Sequence, residues 1–167
     1  MKKTSFANMR CSLARGLDRI GDWWSPLILR DLFLGLQRFD DLVEDLGISR
    51  NLLTRRLKSL MENGVVERAA YQQRPIRYEY RLTEAGRDFV PAILALTAWG
   101  DRWARPKEGS PILFVHETCG HKFRPTVSCP ACGKPITAEA VQAIGGPGGA
   151  AKSGTMLLAK RLARAKA

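Results

Sequence analysis

Two short amphipathic segments that flank a glycine turn constrain the fold of this chain more than any other feature. They lie within residues 38–67, RFDDLVEDLGISRNLLTRRLKSLMENGVVE, on either side of Leu46-Gly47-Ile48-Ser49. The first segment is acidic and the second is basic. A helix, a glycine turn and a second helix with cations on one face predict a helix-turn-helix, whose second helix fits the major groove of DNA.

The basic segment divides its residues between an inward face and an outward face. Leu53, Leu57 and Leu60 recur at helical spacing and predict an inward stripe. Ser49 is expected to cap this helix. The outward face suits DNA, because Arg binds guanine edges, Asn suits adenine, and Thr and Lys suit phosphates or base edges. The DNA-binding residues predicted for this helix are Ser49, Arg50, Asn51, Thr54, Arg55 and Lys58.

A β-hairpin with a basic tip is predicted after Gly64, where the hydrophobic period changes from helical spacing to alternation. Residues 65–67 open one strand, residues 77–82 form the other, and the turn-rich segment QQRP joins them. The tip residues predicted to reach the DNA backbone or minor groove are Gln73, Arg74 and Arg77. A basic helix face alone could simply be solvated, but the turn, the acidic helix and this wing in order favour contact with DNA.

Further periodic segments complete a helical domain. The predicted helices besides the basic one are residues 12–20, 27–34, 39–46 and about 84–104. Ser25, followed by a proline, is expected to cap the second of these, and Thr83 the last. The acidic run of the 39–46 helix could suggest acid–base catalysis, but the helix dipole favours carboxylates at a helix start. Residues 10–104 are therefore predicted to form a winged helix-turn-helix domain that is mostly α with a small β-hairpin wing.

Residues 106–144 carry a Cys/His cluster that predicts a small zinc-ribbon-like extension. The segments HETCG and CPACG share one pattern, which is a metal ligand, two residues, a cysteine and a glycine. Three thiolates and one imidazole satisfy tetrahedral Zn²⁺, so one structural zinc ion per chain is expected. The predicted ligands are His116, Cys119, Cys129 and Cys132, with His121 as an alternative to His116. Free cysteines, or a disulfide within CPACG, are the alternatives to zinc.

The overall charge favours a polyanionic partner. Lys and Arg outnumber Asp and Glu by 27 to 16, which gives a net charge of +11. Residues 145–167 form a Gly-rich spacer and a basic tail that is either a short helix or disordered. No apolar stretch is long enough for a membrane helix, and Met1-Lys2-Lys3 begins no signal peptide, so a cytoplasmic location is expected. No nucleophile elbow, phosphate loop or open metal site is present, which excludes an enzyme at this stage.

From Cys11 to about Trp103 the chain resembles the HxlR-type regulators, a MarR-like branch of the bacterial winged-helix proteins. The matching pieces occur in order and are CSLARGLDRIGDWWSPLILRDLFLG, RFDDL, GISRNLLTRRLKSLMENGVVER and YEYRLTEAGRDF. The resemblance implies a homodimeric transcription regulator, more often a repressor, in which the first and last helices of the domain form the dimer interface. The C-terminal extension departs from the minimal family domain.

The resemblance also bears on how a signal could reach the protein. Cys11 matches the position of an N-terminal cysteine that some relatives use to sense oxidants, and a helix N-terminus stabilises a thiolate. The alternative is that Cys11 is a small buried core residue. A small aromatic effector near Trp23, Trp24 and Trp99 is a further hypothesis, as is the absence of any effector.

The sequence therefore predicts a dimeric regulator that binds double-stranded DNA at a pseudo-palindromic operator. We expect a repressor that a small molecule or an oxidant releases. The alternative is a winged-helix adaptor that binds protein and has no specific DNA binding. The cations and Asn51 on the outward face of the basic helix argue against the adaptor, which has no need of them.

Overall fold

A computed structural model describes residues 5–164 of the chain. The expectation for Met1-Lys2-Lys3 and the end of the predicted basic tail, residues 165–167, lie outside this range. The elements are α1 Ser12–Ile20, α2 Trp24–Phe33, α3 Phe39–Leu46, α4 Arg50–Glu62, β1 Val66–Gln73, β2 Ile76–Leu82, α5 Glu84–Trp103, β3 Phe114–Val115, β4 Lys122–Phe123, a 3₁₀ turn Ala138–Ala140 and α6 Met156–Arg164. The chain divides into two compact units, of which the second is Arg87–Val141.

The predicted winged helix-turn-helix is confirmed in the first unit. Helices α1 and α3 have the predicted bounds, and α4 begins after Ser49, whose hydroxyl accepts a hydrogen bond from the Leu52 N–H at 3.3 Å. Gly47 ends α3 in the left-handed conformation, with φ +59°, which glycine adopts without a steric penalty. The Thr83 hydroxyl caps α5 by accepting from the Gly86 N–H at 3.2 Å.

The predicted start of α2 is wrong, because an aspartate takes the capping role expected of Ser25. The helix begins at Trp24, and its N–H donates to the Asp22 carboxylate at 3.2 Å. The Ser25 N–H donates to the Asp22 carbonyl at 3.1 Å. Ser25 therefore lies inside the first turn and is buried, with 2% of its surface exposed.

Apolar side chains from α2, α3 and α4 form the core of the first unit. The residues with almost no exposed surface include Ile28, Leu29, Leu42, Leu53, Leu57, Leu60 and Val65. Burying each of these side chains contributes about 1.5–3 kcal/mol to folding, before the entropy cost of ordering it.

Around this core a reciprocal pair of hydrogen bonds joins α1 to the end of α4. Arg19 Nε donates to the Asn63 carbonyl at 2.8 Å, and Asn63 Nδ2 donates to the Arg19 carbonyl at 2.7 Å.

One carboxylate is buried in this unit. Asp31 on α2 is 1% exposed, and its Oδ1 accepts from Arg30 Nε at 2.7 Å. Burial raises the pKa of the Asp31 carboxyl above its usual value, although the Arg30 guanidinium opposes this effect. Arg30 also reaches Asp45 on α3 at 3.2 Å, so the pair helps to hold α2 against α3.

The wing is longer than predicted. Strands β1 and β2 pair antiparallel from Val66↔Leu82 to Gln73↔Ile76, with an irregularity after Ala70, so that Gln73 belongs to the ladder rather than to the turn. The chain before α3 adds a short third pairing, because the Tyr80 N–H donates to the Gln37 carbonyl at 2.8 Å. The turn at the tip holds a cis peptide bond before Pro75.

A close backbone approach joins the wing to the start of α5. A Cβ atom built on Gly86 would lie 2.3 Å from the Val65 carbonyl oxygen, so only glycine fits at this position.

Residues 156–164 form α6, and the preceding loop contacts the N-terminal segment, where the Arg10 N–H donates to the Ser153 carbonyl at 2.9 Å. Within residues 5–164, no helix combines the length and apolar character needed to span a membrane.

Candidate nucleic-acid interface

Helix α4 presents the predicted DNA-binding residues together on one exposed face, the predicted recognition face. The leucine stripe of α4 is buried, with Leu53, Leu57 and Leu60 each at most 1% exposed. Every residue predicted for contact with DNA on this helix is exposed, namely Ser49, Arg50, Asn51, Thr54, Arg55 and Lys58. The core therefore determines which face of α4 remains available to a partner.

Besides Ser49, which caps the helix, three of these residues already have intramolecular partners. Arg50 Nη1 lies 2.6 Å from Asp40 Oδ1 on α3, and its guanidinium stacks over the Phe39 ring at 4.9 Å. The Thr54 hydroxyl donates to the Arg50 carbonyl at 2.8 Å. Lys58 lies 3.8 Å from Glu62, one turn further along the helix. All three are exposed, so each of these contacts is open to competition from a phosphate.

Asn51 and Arg55 are the least engaged residues of this face. Within residues 5–164, neither side chain has a hydrogen bond or ion pair. A side chain without a partner loses no internal contact when it binds a base edge or a phosphate. Asn51 and Arg55 are therefore better candidates than Arg50 for contact with DNA.

Arg56 belongs to the support of the helix rather than to its exposed face. It is half-buried and forms an ion pair with Asp22, the residue that caps α2. This pair joins α4 to the start of α2. The sequence has four cations on the basic helix. The structure shows that Arg56 is half-buried, whereas Arg50, Arg55 and Lys58 are exposed.

Cations lie on or beside the wing in addition to the tip residues that the sequence pattern indicated, one on β1 and one at the N-cap of α3. Gln73, Arg74 and Arg77 are all exposed, as predicted. Two further arginines stack on tyrosines of the hairpin. The Arg68 guanidinium lies 4.0 Å from the Tyr78 ring centroid, and that of Arg38 lies 5.1 Å from Tyr71. Arg68 is exposed although it is two residues from the buried Val66, so alternation along β1 does not identify it.

The Cys/His segments lie in the second unit as two separate turns. His116 Nδ1 is 3.3 Å from Cys119 Sγ. The N–H groups of Ala131 and then Cys132 hold the pKa of the Cys129 thiol below its usual value. Among the described residues, no three His, Cys, Asp or Glu side chains are grouped closely enough to hold a metal ion. Zinc binding therefore stays a prediction at this point.

Cys11 lies at the N-terminus of α1, as the sequence indicates. It occupies the N-cap position with an extended backbone, φ −129°. Its side chain is half-buried. The C-terminal loop approaches it closely, because a Cβ built on Gly154 would lie 3.3 Å from the Cys11 Cβ. The loop that precedes α6 thus lies against the Cys11 side chain.

Residues 19–108 match the model of the HxlR-like helix-turn-helix family, and this match covers more than half of the chain. The chain belongs to this family. The HTH-type transcriptional regulator Rv3095 of Mycobacterium tuberculosis is 46% identical over 141 residues, which cover 84% of this chain and 89% of the relative. That alignment is longer than the family match, so the similarity continues beyond the winged-helix domain.

Solved structures of similar proteins agree with this assignment. PA1607, assigned as a transcription factor, matches with a TM-score of 0.73 and 36% identity, over 84% of this chain and 98% of that protein. The redox regulator HypR in its reduced form matches with a TM-score of 0.51 and 32% identity, over 55% of this chain and 92% of HypR. This HxlR-like protein is thus a transcriptional regulator of the helix-turn-helix type, and its named relatives are regulators rather than enzymes.

The ion pair between α3 and α4 leads to a test of the interface. Replacing Asp40 with Asn removes a negative charge beside the recognition face and releases Arg50. Affinity for duplex DNA should rise by about 1.4- to fivefold, the range that an exposed ion pair of ~0.2–1 kcal/mol allows. Fluorescence anisotropy with one labelled duplex at fixed salt measures this change.

Asp45→Asn is the matched control, because Asp45 pairs with Arg30 on α2 and not with the recognition face. It removes the same charge from α3 and should change DNA affinity less. Weaker binding by Asp40→Asn would contradict the expectation and show that Asp40 holds Arg50 in its binding orientation.

Proposed function

We propose that this HxlR-like regulator is a homodimeric, sequence-specific repressor that inserts α4 into the DNA major groove. The observation that carries this proposal is the exposed face of α4, where Asn51 and Arg55 have no hydrogen-bond or ion-pair partner among residues 5–164 and the leucine stripe on the opposite face is buried. Arg and Asn are the side chains that bind guanine and adenine edges bidentately. The exposed cations of the wing support it, since phosphate contacts fix the register of a protein on DNA.

The dimer proposal is supported by apolar side chains left exposed on two helices. On α1, Leu13 is 71% and Leu17 is 50% exposed. On α5, Leu96, Trp99 and Trp103 are each about 60% exposed or more. Large apolar side chains left exposed along one helix are typical of protein interfaces. We assign a second copy of this chain as the partner, because the family resemblance places the dimer contacts on these same helices.

A two-fold dimer places two copies of α4 on one side of the DNA. Their half-sites should be one helical turn apart, roughly 34–36 Å, so the operator should be pseudo-palindromic. Affinity should also fall steeply with salt, because the cations displace counterions from the phosphates. A protein-binding adaptor would show neither a preferred DNA sequence nor this salt dependence.

Arg55→Ala tests the recognition face. Genomic fragments that the protein retains define the operator, and anisotropy titrations then compare the variants on it. Arg55→Ala should weaken operator binding by about 5- to 150-fold, the effect of losing ~1–3 kcal/mol of base contact. Its circular dichroism spectrum and thermal unfolding should match the wild type, because Arg55 is exposed.

Arg105→Ala is the control for charge, since Arg105 is an exposed arginine in the second unit. It should change operator affinity only slightly. If Arg55→Ala and Arg105→Ala bind the operator equally well, Arg55 does not read DNA. If no genomic fragment is preferred over random DNA, the adaptor replaces the regulator as the proposed function.

Trp99→Ala tests the dimer interface. A buried tryptophan at an interface often contributes at least ~2 kcal/mol, so the dimer dissociation constant should rise by about thirtyfold. Sedimentation velocity over a concentration series measures this constant. Trp23→Ala is the control, because Trp23 is 93% exposed and lies outside α1 and α5. A monomeric wild type, or an equal effect of both variants, contradicts the assigned interface.

We further propose that a small molecule or an oxidant releases the DNA. The similarity to the redox regulator HypR supports the oxidant, and Cys11 is the thiol in position for it. No other cysteine lies in residues 10–104, so a disulfide of Cys11 either joins two protomers or involves a cysteine of residues 106–144. We propose the link between two protomers. For a small molecule, Trp23, Trp24 and Trp99 remain the predicted neighbours.

Diamide distinguishes these inputs, since it oxidises two thiols to one disulfide. Diamide should release the wild type from its operator and produce a disulfide-linked dimer on a non-reducing gel. Cys11→Ser should remain bound, whereas the control Cys132→Ser should still be released. Release of Cys11→Ser by diamide at the wild-type concentration would exclude Cys11 as the sensing thiol.

A further inference from the structure

Two turns in the second unit have the same backbone geometry. In the first, the Gly120 N–H donates to the His116 carbonyl at 2.7 Å, and Gly120 has φ +72°. In the second, the Gly133 N–H donates to the Cys129 carbonyl at 2.8 Å, and Gly133 has φ +70°. Both glycines adopt a conformation that other residues rarely tolerate. The turn is therefore a repeated structural unit, which the segments HETCG and CPACG encode.

The hydrogen bonds that close each turn also correspond. The His116 N–H donates to the His121 carbonyl at 3.0 Å, and the Cys129 N–H donates to the Lys134 carbonyl at 2.9 Å. The first turn joins β3 to β4, and the second lies within the bridge Ser128↔Pro135. Both are tight hairpin turns with a potential metal ligand at the first position and a cysteine three residues later.

Each turn brings two metal-binding side chains together. His116 Nδ1 lies 3.3 Å from Cys119 Sγ in the first turn. In the second turn Cys129 and Cys132 occupy the positions that correspond to His116 and Cys119, within the turn that the Gly133 N–H closes. One turn thus supplies an imidazole and a thiol, and the other supplies two thiols. Together they contain the four donors of a tetrahedral Cys₃His zinc site.

The segment that holds these turns has no hydrophobic core of its own. No residue from 101 to 141 is buried, and several apolar side chains there are more than half exposed. Small segments without a core usually depend on a metal or a disulfide for their order. The two ordered turns are therefore better explained by a cross-link between them than by packing.

We propose that the two turns bind one Zn²⁺ through His116, Cys119, Cys129 and Cys132. Each turn is one half of the site, and the metal ion joins the halves, which are separate without it. Thiolates and imidazole favour zinc over magnesium or calcium, which prefer oxygen ligands. Four protein ligands leave no open position, so this zinc ion has a structural role and not a catalytic one.

His116 is assigned as the fourth ligand in preference to His121. The contact between His116 and Cys119 places its imidazole within the first turn. His116 also occupies the position that corresponds to Cys129 in the second turn. His121 occupies the position that corresponds to Lys134, which is no ligand.

Metal analysis of the full-length chain, purified under reducing conditions without a histidine tag, tests the proposal. We expect about one zinc ion per chain, which a thiol-reactive mercurial should release. Cobalt added to the metal-free chain should give the visible absorption of tetrahedral Co²⁺ and a near-ultraviolet band from its thiolate ligands. That band requires cysteine ligands, so it distinguishes this site from adventitious binding to carboxylates.

Three variants assign the ligands. Cys132→Ser and His116→Ala should each lower the affinity for cobalt by at least tenfold, whereas His121→Ala should retain the wild-type spectrum. If a variant unfolds, the zinc content and the cobalt spectrum of the wild-type chain still test whether the site exists. Greater loss in His121→Ala than in His116→Ala would overturn the assignment of His116.

Two outcomes overturn the proposal itself. One is a reduced wild-type chain that contains no stoichiometric zinc and gives no thiolate-to-cobalt band. The other is a disulfide between Cys129 and Cys132 that persists in the protein isolated under reducing conditions, shown by thiol counting and mass spectrometry. Neither outcome bears on the DNA-binding proposal, because the turns lie outside the winged-helix domain.

Discussion

The burial of one leucine stripe on α4 is the constraint on which the rest of the interface depends. Leu53, Leu57 and Leu60 are each at most 1% exposed, so the rotation of the helix about its axis is set by the core. Rotating the helix would expose the leucines and bury Arg55, and burying an unpaired cation costs several kcal/mol. The exposed recognition face is therefore a direct consequence of hydrophobic packing, and not a separate property of the basic residues.

Ion pairs with carboxylates determine which arginines of the first unit stabilise the fold and which remain available to DNA. Asp22 holds Arg56 and Asp45 holds Arg30, so these two cations connect α2 with its neighbours. Asp40 holds Arg50 more loosely, because both partners are largely exposed. The arginine of α4 without a carboxylate partner in the described part of the chain is Arg55. Charge pairing thus leaves a smaller recognition face than the composition of the helix suggests.

Local sequence patterns predicted the winged fold and the exposed face of α4. They did not predict which side chains form ion pairs or cap the helices. Helices α1, α3 and α4 follow from the helical spacing of their apolar residues, although only α4 buries a full stripe of leucines. The start of α2 was placed wrongly, since Asp22 and Ser25 are both good caps and the sequence cannot rank them. The ion pair of Arg50 with Asp40 depends on how α3 packs on α4, which spacing along the chain does not contain.

The Cys/His turns also show that a sequence pattern predicts local geometry but not tertiary contacts, here in a segment that lacks a hydrophobic core. Their internal geometry is local, so the pattern of a ligand, two residues, a cysteine and a glycine predicts it in both places. Whether the two pairs of side chains meet is not local, and no buried apolar residue of that segment brings them together. In the winged-helix domain, leucines position the functional side chains before any partner binds. In the second unit, the metal-binding side chains would themselves supply the missing tertiary contact, so that ligand binding and folding become one event.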